Sequence, residues 1–522
     1  MKNSLLQEIL VNTRVKKFLI GGGLCLFLIL SGIKLYMMRA RIHEIKIAFA
    51  GYWKSVHPGL QHTLVGDLTL SNQFEALVGF NQNGVYVPLA ATEWSISPDF
   101  KIFKFKIDTA RKFSDGVALS AKHFKDSWEA ALKLDPKSSN NSLLDILYKV
   151  EGFSDFKTTG TLSGVKVIDD SNLEIHFATS FRMALEQFSG NRFAAYREVS
   201  GKFLGTGVYV IEELGPELLR LTPNQYFSTP VKDSILLSSV SSENAVKELM
   251  IGHVDVVAYA MGATVAEEVE KNDKLSTIVG QDALHRAFYT NNQKGRLFAK
   301  KEYRKAFQYL VYQYSKNNPK FLGNSNYTSF DMQVYLPFQE GRIEDREMRQ
   351  IVESGKPFVN EFLAAAKQNP PVFIESKGYS FKKILKEIGV PLSPKSRMVE
   401  KTDIIDIIYK GEAADIIPGS FGVASGDPDG IYHKLGKSGA IASPMTRNTP
   451  VASLLEEGRQ ITDKSKLDSF YQNVSRKILD EVPLVHMGFN KAVAIYRNDK
   501  VKAQDRVLRR NEGHLNIFEA KR

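Results

Sequence analysis

An α/β fold preceded by a single membrane-spanning helix is what this 522-residue sequence predicts, on three stretches. In Lys101–Leu134, Phe103, Phe105 and Ile107 share one face of an alternating run, with Lys104 and Lys106 on the other. That is a strand with one buried and one wet side. Asp115-Gly116 supplies a tight turn, where glycine takes the positive φ that other residues avoid. Ser120 is placed to cap the next segment by accepting a bond from a free N–H. Ala121, Phe124, Trp128 and Ala131 follow at spacings of three and four, one apolar helical stripe. In the second stretch, Pro357 to Lys367 reads as a helix, Pro371 to Glu375 as a strand and Phe381 to Ile388 as a helix. Such alternation belongs to an α/β lobe.

The third stretch is Phe18 to Ile33, sixteen residues without a charge. Lys34 can snorkel, so the apolar run continues to Met38 and meets the roughly 20 residues a spanning helix needs. Arg14, Lys16 and Lys17 precede it. A cleaved signal peptide would be followed by small residues, whereas Lys34, Tyr36, Met37, Met38 and Arg39 follow here. The nearby Ala48-Phe49-Ala50 lies inside a predicted strand. Cys25 sits mid-run behind Leu24, which argues against lipoprotein processing. The reading is an uncleaved anchor over 18–38, with 1–17 before it. Lys34, Arg39 and Arg41 nearly balance the preceding charges, so charge alone does not orient it.

Composition bounds the rest. Hydrophobic content of 43% and charged content of 24% are ordinary for globular protein, and one cysteine permits no intramolecular disulfide. Net charge is +11, but no dense Lys/Arg block with interleaved aromatics stands out, so no nucleic-acid partner is expected. A basic surface suits an anionic membrane or an acidic ligand. No G-x-S-x-G, H-E-x-x-H or C-x-x-C occurs. Gly430 to Ser438 mimics a phosphate loop with one residue too many, and Asp427-Pro428-Asp429-Gly430 lacks the further oxygen ligands of a calcium loop. His57 and His62, the closest histidine pair in sequence, have the wrong spacing for a shared metal. No catalytic residue, metal or cofactor is expected.

The remaining pattern is collinear. Glu44–Ala50 is a strand leading into Gly51-Tyr52-Trp53-Lys-Ser-Val-His57-Pro58. Phe74 to Phe80 and Val87 to Trp94 precede the strand-turn-helix stretch. Gly164 to Phe177 reads as a hairpin around Asp-Asp-Ser-Asn, followed by a short helix from about Phe181 to Phe188. Leu204-Gly-Thr-Gly-Val-Tyr209 turns into a strand; no third glycine follows, so it is no nucleotide loop. Ala245 to Asp255 is a helix that glycine ends, and Tyr303 to Val311 is another. Leu467, Phe470, Tyr471, Val474 and Ile478 mark a last amphipathic helix before the strand at Val482 to His486.

Taken in order over about residues 44–500, weakest over 320–415, these segments resemble the family 5 extracytoplasmic solute-binding proteins. Those are the oligopeptide, dipeptide and nickel binders of ABC importers. The resemblance implies a periplasmic-binding-protein-like (class II) two-lobed α/β fold with an additional lobe. Lobe I would take 42–70, 185–283 and 490–522, lobe II 71–184, and lobe III 284–489. It makes Tyr52 and Trp53 cleft candidates, although aromatics covering a domain edge fit equally. Leu284, His285 and Arg286 correspond to further cleft-lining positions, Arg286 either pairing with an acidic ligand group or lying on the surface.

In peptide-binding members a Trp-x-x-Asp-x-x-Asp/Glu-Pro stretch places its first Asp on the ligand's α-amino group. Here Phe421, Gly422, Ala424 and Asp427 occupy that stretch, with Phe421 for the Trp and Ala424 for the Asp. Asp427 or Asp429 would substitute only if the loop shifts. The family's Asp near the start of the helix at Ala121 is His123 here, a lost charge worth ~0.3–1 kcal/mol at that helix end. The resemblance implies capture of a peptide, peptide-like compound or other small solute by hinge closure, for the permease subunits of an ABC importer. No bond is made or broken. The bulk of the chain would lie outside the cytoplasmic membrane, and the alternative is a membrane-tethered sensor on the same fold.

Overall fold

The computed structural model describes residues 44–521, apart from 51–52, 54, 61–63, 81–85, 135–142, 262–266, 324–326, 337–338, 377–380, 401–403, 405–406, 409–413, 423–426, 438–441, 448 and 505–514. The expected anchor at 18–38 lies outside the described residues. Among those that are described, no helix is long and apolar enough to cross a membrane.

One nine-stranded sheet runs through the molecule. Its strands are β1 (Glu44–Ala50), β2 (Tyr209–Gly215), β3 (Leu218–Pro223), β4 (Ser234–Val240), β5 (Val256–Met261), β6 (Leu275–Thr290), β7 (Thr328–Phe330), β8 (Ile416–Gly422) and β9 (Leu484–Arg497). The order is β2-β3-β4-β1-β5-β9-β6-β8, with β7 also paired to β9. The near half, β2 to β5, carries Ile47, Phe49, Ile235 and Leu237 in one core, and Ala48, Val257 and Leu249 in another. Alternation along β1 accounts for the split, since successive side chains point to opposite faces. The far half does the same: Phe288, Val485 and Met487 join one core, Tyr289, Ile417 and Leu484 the other.

β6 and β9 are the long strands, 16 and 14 residues, and they pair antiparallel along most of their length. Their register shifts between Val279 and Ala283 and again between Arg286 and Ala287. The expected lobe limits at 283/284 and 489/490 fall inside these two strands.

Residues 77–195 build a separate unit with its own core. Its four-stranded sheet takes Ala91–Ile96, Ile102–Ile107, Asn172–His176 and Val165–Val167 in that order. Phe103, Phe105 and Ile107 are buried and Lys104 and Lys106 exposed, as the alternation requires. Helix α1 (Ala121–Leu134) buries Ala121, Phe124, Trp128 and Ala131. Trp128 stacks on Phe188, with centroids 5.6 Å apart, and donates its indole N–H to the Phe193 carbonyl at 2.9 Å. The short helix expected over Phe181 to Phe188 is confined to Ala184–Gln187. Gly205 of the Gly-Thr-Gly turn is needed for close approach, since a Cβ there would lie 2.0 Å from the Gln73 carbonyl oxygen.

The start of α1 differs from the expectation. The Ser120 backbone N–H donates to His123 Nδ1 at 3.1 Å, and the Ser120 hydroxyl lies 2.9 Å from the same atom. This is one half of a capping box, with an imidazole in the place of a carboxylate, while the His123 N–H donates to the Ser120 carbonyl at 3.1 Å. Burial, then the Arg197 charge, lowers the His123 pKa, which keeps Nδ1 an acceptor. The imidazole brings no negative charge to this helix end but supplies an acceptor for the cap's N–H.

His57 is buried between Tyr196 and Phe203, at centroid distances of 5.1 and 4.6 Å. Among the described residues neither ring nitrogen has a hydrogen-bond partner. Burial lowers its pKa to about 4, and lowers that of the buried His486 to about 3. Both values fall below the unfolded value of about 6.5, so below that pH the unfolded chain binds the extra protons. Stability is therefore complete above pH 6.5 and is lost as pH falls toward 4, by on the order of 3 kcal/mol for His57. Denaturant titrations at pH 7 and pH 4.5 are expected to show that loss, and His57→Leu to reduce it.

Candidate functional site

β6 and β8 pair so that Leu284 faces Gly422, His285 faces Phe421 and Arg286 faces Ser420. The six positions from Leu284 to Arg286 and from Ser420 to Gly422 are thus brought together at one sheet edge. The His285 ring stacks on Phe421, 4.6 Å between centroids with 15° between planes. His486 Nδ1 donates to the Asp331 carbonyl at 2.8 Å, so its Nε2 accepts from His285 Nδ1 at 3.1 Å. Beneath Phe421, the buried Lys434 amine lies 4.1 Å from the Tyr289 ring centroid and 5.6 Å from that of Phe421. Burial pulls its pKa down to about 7.

Arg286 is not a surface arginine. It is buried, with its guanidinium 5.0 Å from the Phe381 ring centroid. Trp53 is buried as well, packed with Ile45, Ile47 and Val65 in the near half, which supports the packing alternative over a cleft role. Tyr52 and Ala424 lie outside the described residues.

Asp427 begins a 3-10 turn, Pro428–Ile431, and its Oδ1 accepts the Asp429 backbone N–H at 2.8 Å. Its Oδ2 meets Nη1 of Arg182, which comes from the 77–195 unit. The Arg182 Nη2 lies 3.4 Å from the Tyr471 hydroxyl. That hydroxyl donates to Asp429 Oδ1 at 3.0 Å, while Arg459 Nε donates to Asp429 Oδ2 at 3.0 Å. The Arg459 guanidinium covers the Tyr432 ring at 3.5 Å and reaches Phe181 of the other unit at 5.1 Å. Gln187 and His433 meet at 2.9 Å across the same seam. Burial works against the Arg459 charge, but Asp429 and Tyr432 outweigh it and hold its pKa above the ordinary value. For Asp429, burial pushes the carboxyl upward and Arg459 opposes it.

The loop therefore leaves no idle acid. Asp427 and Asp429, the two substitutes for the missing carboxylate at Ala424, both already hold arginines. Sequence reading missed Arg182, Arg459 and Lys434. It counted Tyr471 only as part of an apolar stripe, which its ring satisfies while its hydroxyl does other work.

Residues 85–312 match the model of the middle region of bacterial extracellular solute-binding proteins, family 5. The periplasmic murein peptide-binding protein MppA of Escherichia coli (strain K12) is 25% identical over 202 residues, 35% of this chain and 37% of that protein. The glutathione-binding protein GsiB of Pectobacterium atrosepticum is 22% identical over 293 residues, 55% of each chain. The match thus spans between about a third and a little over half the length of these relatives, and both are described as binding proteins. In fold the likeness is nearly end to end. The structure of the periplasmic binding protein DppA from Helicobacter pylori, in complex with the peptide STSA, aligns at TM-score 0.74 and 15% identity, covering 92% of this chain and 98% of that one. Residues 85–312 thus match the family 5 solute-binding model, and the described residues carry the α/β fold of the periplasmic binding proteins with which they align.

Proposed function

We propose that the protein captures a peptide or peptide-like solute between its lobes and presents it to the permease subunits of an ABC importer, anchored through residues 18–38 on the outer face of the cytoplasmic membrane. The observation that carries this reading is the seam. Side chains from two separately cored units meet there across Asp427 and Arg182, while β6 and β9 provide paired strands about which the halves can move. His285, Phe421 and Arg286 sit on paired strands at the sheet edge, and the match of residues 85–312 to the family 5 model supports a solute as the occupant. Lobes I, II and III are, on this reading, the near half, the 77–195 unit and the far half.

The full chain, purified in detergent and denatured, is expected to release peptides or peptide-like compounds that mass spectrometry identifies. Release of no small solute from repeated preparations would sink the proposal. The engagement of both Asp427 and Asp429 by arginines favours one second reading, a tethered sensor on the same fold. Co-purification of permease and ATPase subunits decides against it.

A further inference from the structure

We propose that Arg182 acts as a built-in stand-in for a ligand cation, reserving closure of the seam for solutes that bring no ammonium group to the Asp427 corner. The inference rests on the capture reading and adds the class of solute that the site selects against.

The geometry is that of an occupied subsite. Asp427 is engaged on both oxygens, by the Asp429 backbone N–H and by the Arg182 guanidinium. Arg182 itself is buried, only 6% of its side chain being exposed, and its second Nη is directed to the Tyr471 hydroxyl. Asp429 is fully enclosed between Arg459 and Tyr471. An incoming ammonium would have to displace a planar fork that has two partners, and would leave that guanidinium buried beside it with neither. A solute with a blocked or absent amine meets no such competition. The cation that completes the site is thus supplied by the 77–195 unit, and it arrives only when the seam closes.

Two readouts on the full chain in detergent test this. The first is the distance between spin labels placed by Lys157→Cys and Lys383→Cys in a Cys25→Ser background, both lysines being exposed. Arg182→Gln is expected to lengthen and broaden that distance distribution with no solute added. The second is calorimetric binding of tri-L-alanine and of N-acetyl-tri-L-alanine. Arg182→Gln is expected to tighten tri-L-alanine binding about tenfold or more and to leave the acetylated probe little changed, because an ammonium–carboxylate bond replaces the lost ion pair. Adding Asp427→Asn is expected to abolish the gain. Should Arg182→Gln not fold, Arg182→Lys keeps the charge without the fork and is expected to shift both readouts in the same direction by less.

An unchanged label distance in Arg182→Gln overturns the proposal. So does a wild-type protein that prefers tri-L-alanine to its acetylated form, or a gain that survives Asp427→Asn. Absence of any captured solute by mass spectrometry would instead strike the capture reading, and the label distances would still report on the clasp.

Discussion

Asp429→Ala is expected to lower the unfolding free energy by about 3–5 kcal/mol, the cost of leaving a buried charge without its partner. The stranded group is Arg459, whose side chain is 5% exposed and whose Nε bonds to Asp429 Oδ2. Tyr471 loses the acceptor of its hydroxyl at the same time. Equilibrium urea denaturation followed by circular dichroism measures the loss. The companion variant Asp429→Leu with Arg459→Met separates the two causes, since replacing a buried pair by apolar side chains is often neutral or stabilising. It is expected to recover most of the loss. A single Asp429→Ala variant as stable as the wild type would show that solvent reaches Arg459. Asp427, more exposed at the seam, is expected to cost less when replaced.

Gly488→Ala is the second large effect. Gly488 lies in β9 opposite Arg286, at a φ of +133°, where the register with β6 shifts. A Cβ built there would stand 1.9 Å from the Ser329 carbonyl oxygen and 2.9 Å from the Asp331 nitrogen. Both neighbours are backbone, so neither can rotate away, and β7 must leave the sheet. The loss is expected to exceed about 4 kcal/mol, in the range where single substitutions abolish folding. Gly201 gives the control. It too has a positive φ, +74°, but nothing lies within 4 Å of a Cβ placed on it. Gly201→Ala is expected to cost only the local backbone strain, about 1–2 kcal/mol. Equal melting temperatures for the two variants would refute the steric account.

What the sequence discloses and what it conceals divide along physical lines. The strand at Ile102–Ile107 and the stripe of α1 were legible because one buried face imposes a period on neighbouring residues. Their turn residues were legible too, since Gly116 indeed takes a positive φ. The seam was not, because its bonds join residues far apart in the chain. Arg182 and Asp427 are separated by 245 positions, and no periodicity connects them. Buried polar groups add a second difficulty. Arg286 and Lys434 are buried among aromatic rings that only the fold brings to them, and a charged residue read alone suggests a surface. His123 adds a third: its lost charge was legible, but the acceptor its Nδ1 offers the Ser120 N–H was not.

The paired long strands have a mechanical consequence. β6 and β9 are hydrogen-bonded to each other on either side of their register shifts, so they behave as two leaves of one flexure. The ladder is broken near Val279–Ala283 and Arg286–Ala287, and a broken ladder resists bending least. On the proposed capture reading, movement of the halves would centre on these two breaks. On the same reading, a solute without an ammonium group and the Arg182–Asp427 clasp would favour the same closed seam.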